Sequence, residues 1–169
     1  MKRVLEQDGL ELFEYIPTRI KPFYIDMEPI TIMRRFRFLI DFHYGYKVYY
    51  LKKDGEYVGY CTITNGKNPR FWFASEKDIL VGPYFVEESY RGKGYSTKMV
   101  DWVIHKCGLS WKNAFLYILN TNIPSIRVVE KLGGTKIFNV HNTFYRKLVK
   151  KDSGEYGIHL IKGENNENS

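Results

Sequence analysis

The sequence is poor in cysteine and has no long apolar run. Its two cysteines, Cys61 and Cys107, cannot build a disulfide framework and fit neither a CxxC nor a Cys/His metal spacing, so no metal is expected. No stretch approaches the roughly 18 consecutive apolar residues of a membrane-spanning helix. The opening MKRVLEQDGLELFEY also lacks the apolar centre of a signal peptide. The expectation is a cytoplasmic protein with no membrane partner. Low-complexity tracts and internal repeats are absent too, which excludes a solenoid or a structureless linker protein.

What is present is a core-forming composition. Hydrophobic residues make up 44% and aromatics 17%, with 14 Tyr and 11 Phe, enough to offset ordering entropy across most of 169 residues. That length suits one domain, expected over 1–163, with ENNENS at 164–169 a disordered tail. The net charge of +7 favours anionic partners: nucleic acid, acidic lipid or a phosphorylated small molecule. KLVKK at 147–151 reads as a solvated strand end and not as a docking patch.

Residues 10–16, LELFEYI, alternate as a first strand, and the prolines at 17, 22 and 29 then interrupt regular structure. From Ile30 the run ITIMRRFRFLIDFHYG has helical spacing and stops at Gly45. YKVYYL and YVGYCTIT flank Asp54-Gly55, a strong hairpin signal. DILVGPYFV is the next strand, disturbed by Gly82-Pro83, which suggests a bulge or a splayed edge. A helix follows with Tyr95, Met99, Trp102, Val103 and Lys106 on one face. Then come the strand AFLYIL and a helix capped by Asn122, with Pro124 in its first turn and Ile126, Val129 and Leu132 facing inward. TKIFNV, TFYRKLV and EYGIHLI close the chain as strands. The order predicts an α/β (α+β) domain with a mixed, mostly antiparallel sheet of about seven strands flanked by helices, and one parallel pairing across the helix at 95–107.

The chemistry concentrates at RGKG, Arg91 to Gly94, between a β-branched run and an amphipathic helix. Glycines in such a turn let backbone N–H groups converge, and the helix start adds free N–H groups and its positive dipole end. This suits a pyrophosphate, with Arg91 and Lys93 as further donors. GxGxxG fails for lack of a third glycine, and no Gly-Lys-Ser/Thr follows four spacers as a P-loop requires.

The stretch resembles the acyl-coenzyme A signature of the GCN5-related N-acetyltransferase (GNAT) family: Arg or Gln, two residues, Gly, one residue, Gly or Ala. Here that is Arg91, Gly92-Lys93, Gly94, Tyr95, Ser96, preceded by Val86-Glu87-Glu88-Ser89-Tyr90 where the family has Val-x-Pro-x-Tyr. NTNIPSIRVVEKLGG, Asn120 to Gly134, is similar to the family's later strand-and-helix segment, with Val129 in place of its usual tyrosine and Gly134 in place of phenylalanine. The resemblance covers roughly residues 78–134.

It implies a GNAT-like fold and transfer of an acetyl group from acetyl-CoA to the primary amine of a small molecule, directly in a ternary complex. Pantetheine would pair with Tyr84, Phe85 and Val86. Pyrophosphate would sit on Arg91, Gly92, Lys93, Gly94, Tyr95 and Ser96, with Asn122 and Ser125 as further cofactor-binding positions. Tyr84, Asp78 and Tyr117 are candidates for proton transfer, although Asp78 and Glu76 also read as solvated strand-entry residues, and Asn122 also reads as a plain helix cap. Arg34, Arg35 and Arg37 would suit an anionic acceptor such as a nucleotide-linked amino sugar. A homodimer is compatible with all of this, and no nucleic-acid partner is expected. Two other readings stand beside it: a non-catalytic acyl-CoA-binding module, motivated by Val129, and a nucleic-acid-binding domain, motivated only by the charge.

Overall fold

The computed structural model describes residues 1–29, 31–32, 38, 41–143 and 147–163. Among them the chain divides into two compact units, one of residues 1–64 and 82–109, the other of 65–81 and 110 onward. A single strand, β5 (Ile79–Val86), begins in the second unit and ends in the first.

In the first unit, β1 (Lys2–Gln7) and β2 (Leu10–Tyr15) form a hairpin. β3 (Tyr46–Lys53) and β4 (Glu56–Asn65) form another, and β2 pairs antiparallel with β3. Both turns are Asp-Gly with positive φ at each residue, Asp8 55° and Gly9 69°, Asp54 49° and Gly55 88°. This is the backbone that a two-residue turn between right-twisted strands requires. The second hairpin was expected from its sequence. β1 was not, and with it the structure has nine strands among the described residues instead of about seven.

One face of these strands carries Tyr15, Tyr46, Val48, Tyr50 and Tyr60, buried with Phe23 and Phe38. A register shift where Leu51 pairs with Gly59 and Lys52 with Tyr57 leaves Val58 as an extra residue, so Tyr57 and Tyr60 both reach this face. Of the expected helix from Ile30, residues 32, 38 and 41–44 are helical, and Gly45 ends it at φ +83°. Ile30, residues 33–37 and residues 39–40 lie outside the described residues. Helix α1 (Tyr95–His105) buries Met99, Val100, Trp102, Val103 and Ile104, and Lys98 Nζ reaches Asp8 Oδ2 in the first hairpin turn at 2.6 Å. Lys106, expected on the buried face, is exposed, because the helix ends one residue earlier.

The second unit holds the start of β5, then β6 (Asn113–Leu119), β9 (Tyr156–Lys162), β7 (Thr135–Asn142) and β8 (Leu148–Lys150), in that order across the strands. β5 and β6 run parallel, with Ile79 opposite Ala114 and Leu80 opposite Phe115, as the crossover through α1 requires. The other registered pairings are antiparallel. Helix α2 (Ile123–Lys131) is capped by Asn122, whose Oδ1 accepts from Ser125 N at 3.3 Å. Its buried residues are Val128 and Val129, so the inward face lies closer to 128 than the expected Ile126 and Leu132. Residues 144–146 of TFYRKLV and the expected tail at 164–169 lie outside the described residues.

Two predictions follow from packing and burial. A Cβ on Gly59 would lie 2.6 Å from Phe85 O and 3.1 Å from Val86 Cγ2, so Gly59→Ala must push β5 away from β4. The expected loss is about 1–3 kcal/mol, read from urea unfolding midpoints. In the second unit, burial and the Lys136 charge hold the His159 imidazole below its ordinary value, and its Nε2 has no hydrogen-bond partner among the described residues. The unfolded chain therefore binds a proton that the folded chain refuses. Stability is full above about pH 6.5 and falls as pH drops below it toward the folded value. Unfolding midpoints should fall between pH 7 and pH 5, and His159→Phe should flatten that fall.

Candidate active site

The phase of β5 is set by its partner β4. Glu87 N donates to Val58 O at 2.9 Å, Thr62 Oγ1 donates to Pro83 O at 3.1 Å, and Phe85 O lies against Gly59. Along a strand, backbone polar groups alternate sides, so residues 83, 85 and 87 turn theirs toward β4. Tyr84 and Val86 turn theirs away. Of the three positions expected to meet pantetheine, Phe85 thus has its backbone engaged with β4, while Tyr84 and Val86 present theirs outward. At Gly82-Pro83 the peptide is cis and Gly82 has φ +107°.

After β5 a 3-10 turn, Glu88–Tyr90, leads into the glycine junction. Gly92 and Gly94 have φ +78° and +79°, and a Cβ built on either would meet nothing within 4 Å. The glycines therefore serve backbone shape, not close packing. Gly94 is the N-cap of α1 and offers no side-chain cap, and Lys98 N is the first helix amide to find its partner, Gly94 O, at 3.0 Å. The N–H groups of Tyr95, Ser96 and Thr97 accordingly point out of the helix start. With no acidic residue in the first turn, the positive dipole end is uncompensated from within the helix. It contributes roughly 0.3–1 kcal/mol to anion binding.

The basic side chains here brace the turn. Arg91 folds back, Nε donating to Val86 O at 2.9 Å with the guanidinium 5.4 Å from the Phe85 ring centre, and Lys93 Nζ donates to Ser89 O at 3.1 Å. Arg91 thereby engages the outward carbonyl of Val86.

The proton-transfer candidates fall in different places. Tyr84 is half-buried on β5 in the first unit. Asp78, in the second, is 4% exposed, so its reading as a solvated residue is overturned, whereas Glu76 is exposed. The Asp78 carboxylate accepts from Ser75 N (2.8 Å), Ser75 Oγ (2.7 Å) and Asn113 Nδ2 (2.9 Å), which ties the entry of β5 to β6. A carboxylate held by three donors is a structural anchor. Tyr117 stacks on Tyr156 with ring centres 4.4 Å apart, and burial raises its phenol above the ordinary value, so it holds its proton at neutral pH. Val129 is fully buried, and a Cβ on Gly134 would lie 2.4 Å from its Cγ1. The two departures from the family's pattern therefore pack against each other.

Comparison with known proteins decides the family. The model of the Acetyltransferase (GNAT) family matches residues 12–134. The chain belongs to the GNAT family. Among solved structures, a GNAT family acetyltransferase from Elizabethkingia anophelis with acetyl-CoA bound superimposes with a TM-score of 0.66 at 13% identity, over 93% of this chain and 100% of that one. The yncA protein from Salmonella typhimurium with its cofactor acetyl-CoA gives 0.55 at 16% identity, over 91% and 95%. Mycobacterium smegmatis RimJ in complex with CoA-disulfide gives 0.54 at 19% identity, and the match spans 73% of this chain but 56% of RimJ. At these identities the likeness is one of fold. No curated protein sequence matches the chain.

No group of three or more metal-ligating side chains occurs among the described residues, and no helix among them is long and apolar enough to cross a membrane. A cavity of about 220 Å³ in the first unit, lined by Thr18, Arg19, Ile20, Pro22, Phe38, Phe42 and Tyr46, contains none of the expected site residues. The thiols are unsuited to carry an acyl group. Burial pushes Cys61 well above its ordinary value and Cys107 up to about 11. A thiol-specific disulfide reagent at pH 7 should therefore react slowly with the native protein and rapidly with both cysteines after denaturation.

Proposed function

We propose that the chain moves an acetyl group from acetyl-CoA to the primary amine of a small molecule by direct transfer in a ternary complex, its two units working as one transferase domain over 1–163. The observation that carries this reading is the β5–α1 junction: outward backbone at Tyr84 and Val86, two left-handed glycines, and an uncapped helix start. Pantetheine pairs with the outward edge of β5, and pyrophosphate rests on the N–H groups from Gly92 to Ser96. Arg91 keeps the turn closed, and Asn122 and Ser125 remain cofactor-side candidates in the second unit.

Acyl transfer needs an uncharged amine, a polarised thioester carbonyl and a place for the leaving thiolate's proton. An outward N–H of β5 polarises the carbonyl. Holding donor and acceptor together supplies much of the rate. The two high-pKa thiols support direct transfer over an acyl-enzyme route. Tyr84 and Tyr117 remain candidates for returning a proton to the thiolate, and Asp78, with its three donors, is set aside. The anionic-acceptor argument rested on Arg34, Arg35 and Arg37, which lie outside the described residues.

Val129, buried where GNAT proteins usually place tyrosine, favours a second reading as an acyl-CoA-binding module without turnover. Thiol release across a panel of amines separates the two: transfer gives amine-dependent release, and a module gives binding alone. For the site itself, Gly94→Trp strains a left-handed position and fills the open space before the helix. Calorimetry should find acetyl-CoA binding abolished with the circular dichroism spectrum retained, and unchanged affinity would refute this placement.

A further inference from the structure

The cavity of the first unit has no role in the transfer proposed above, and its walls define a ligand of their own. Its volume is about 220 Å³. An apolar cavity of about 150 Å³ accommodates a benzene ring, so this one has room for a ring and a short substituent. Two tyrosines fix one wall. Tyr15 Oη donates to Lys21 O at 2.8 Å and Tyr46 Oη donates to Pro22 O at 3.1 Å, which pins residues 18–22 against β2 and β3. Within that turn Thr18 N donates to Lys21 O at 3.1 Å and Lys21 N donates to Thr18 Oγ1 at 3.0 Å. The wall is built before any ligand arrives, so binding carries little ordering cost.

The other walls are aromatic and carry one cation. Phe38 stacks on Tyr46 with ring centres 5.7 Å apart and 27° between planes, and Phe42 stands four residues on. Arg19 is exposed, its guanidinium lies 5.9 Å from the Phe42 ring centre, and it has no carboxylate partner among the described residues. No lining residue is acidic. Asp41, buried near Tyr46, is not among them. Rings receive another ring by offset or edge-on contact, and a guanidinium receives a carboxylate through two parallel N–H···O bonds. An amine in the same place would face the charge of Arg19, and an aliphatic acid would leave the walls unfilled.

We propose that this cavity binds a small aromatic monocarboxylate, with its ring among Phe38, Phe42 and Tyr46 and its carboxylate on Arg19. The site is separate from the outward edge of β5. Phe23, 5% exposed, and Tyr60, 2% exposed, fill the direct way between them. Phe23 packs edge-on to Phe38 at 4.7 Å and to Tyr60 at 5.4 Å, and Tyr60 stacks on Phe85 at 6.2 Å. A ligand of this size therefore does not reach β5 through the core. The assignment rests on the cavity and Arg19 alone, so it stands independently of the transferase reading.

Calorimetry on the full chain, with phenylacetate as the probe beside phenylacetamide and acetate, tests the assignment. Phenylacetate should bind at one site per chain. Phenylacetamide lacks the charge and acetate lacks the ring, so each should bind about tenfold or more weakly. Arg19→Gln removes the charge at an exposed position where folding is little affected. It should weaken phenylacetate about tenfold or more and leave the affinities for phenylacetamide and acetyl-CoA unchanged. Absence of phenylacetate binding at millimolar concentration, equal affinity for the three probes, unchanged phenylacetate affinity in Arg19→Gln, or displacement of phenylacetate by acetyl-CoA overturns the assignment.

Discussion

The pairing of β5 with β4 is the constraint on which the site depends. Because Glu87 N is bonded to Val58 O, every second residue of β5 is committed to β4 and the alternate ones face outward. Gly59 permits this closeness, since any side chain there would strike the Phe85 carbonyl. The same register places Phe85 against Tyr60 and so connects the outward backbone of Tyr84 and Val86 to the aromatic face of β3 and β4. A shift of one residue would exchange the two faces and remove the outward edge at those positions.

At the end of β5 the chain reverses into α1 through two left-handed glycines, and here charge and shape have separate carriers. The basic side chains hold the turn, Arg91 through Val86 O and Lys93 through Ser89 O. In the function proposed above, the anion-facing role falls to backbone amides at a helix start without an acid or a side-chain cap. Backbone donors cannot move away when a ligand departs, which suits a cosubstrate that must bind and leave in one geometry.

Much of this was legible in residue order. Asp54-Gly55 fixed its hairpin, because few dipeptides tolerate two positive φ values in succession, and the Arg91 to Ser96 stretch announced both turn and helix start. The same logic applied to Asp8-Gly9, yet β1 was missed because MKRVLEQ has weak alternation and draws its register from β2. Asp78 was misread as solvated because sequence does not reveal that Ser75 and Asn113 converge on it. The cavity carried no signal at all. Its Pro22 lies 24 residues from Tyr46 in a segment broken by proline, and only folding brings the two together.

Sequence by itself determined the local conformations and the family: glycine positions, hairpin turns, helix starts and the spacing of the two segments that resemble GNAT proteins. These depend on steric preferences within a few residues, which are written directly into the chain. Tertiary structure alone decided which backbone groups of β5 face outward, which carboxylate is saturated and which aromatic rings enclose a cavity. Those properties depend on strand register and on contacts between residues far apart in the chain, and no local preference encodes them.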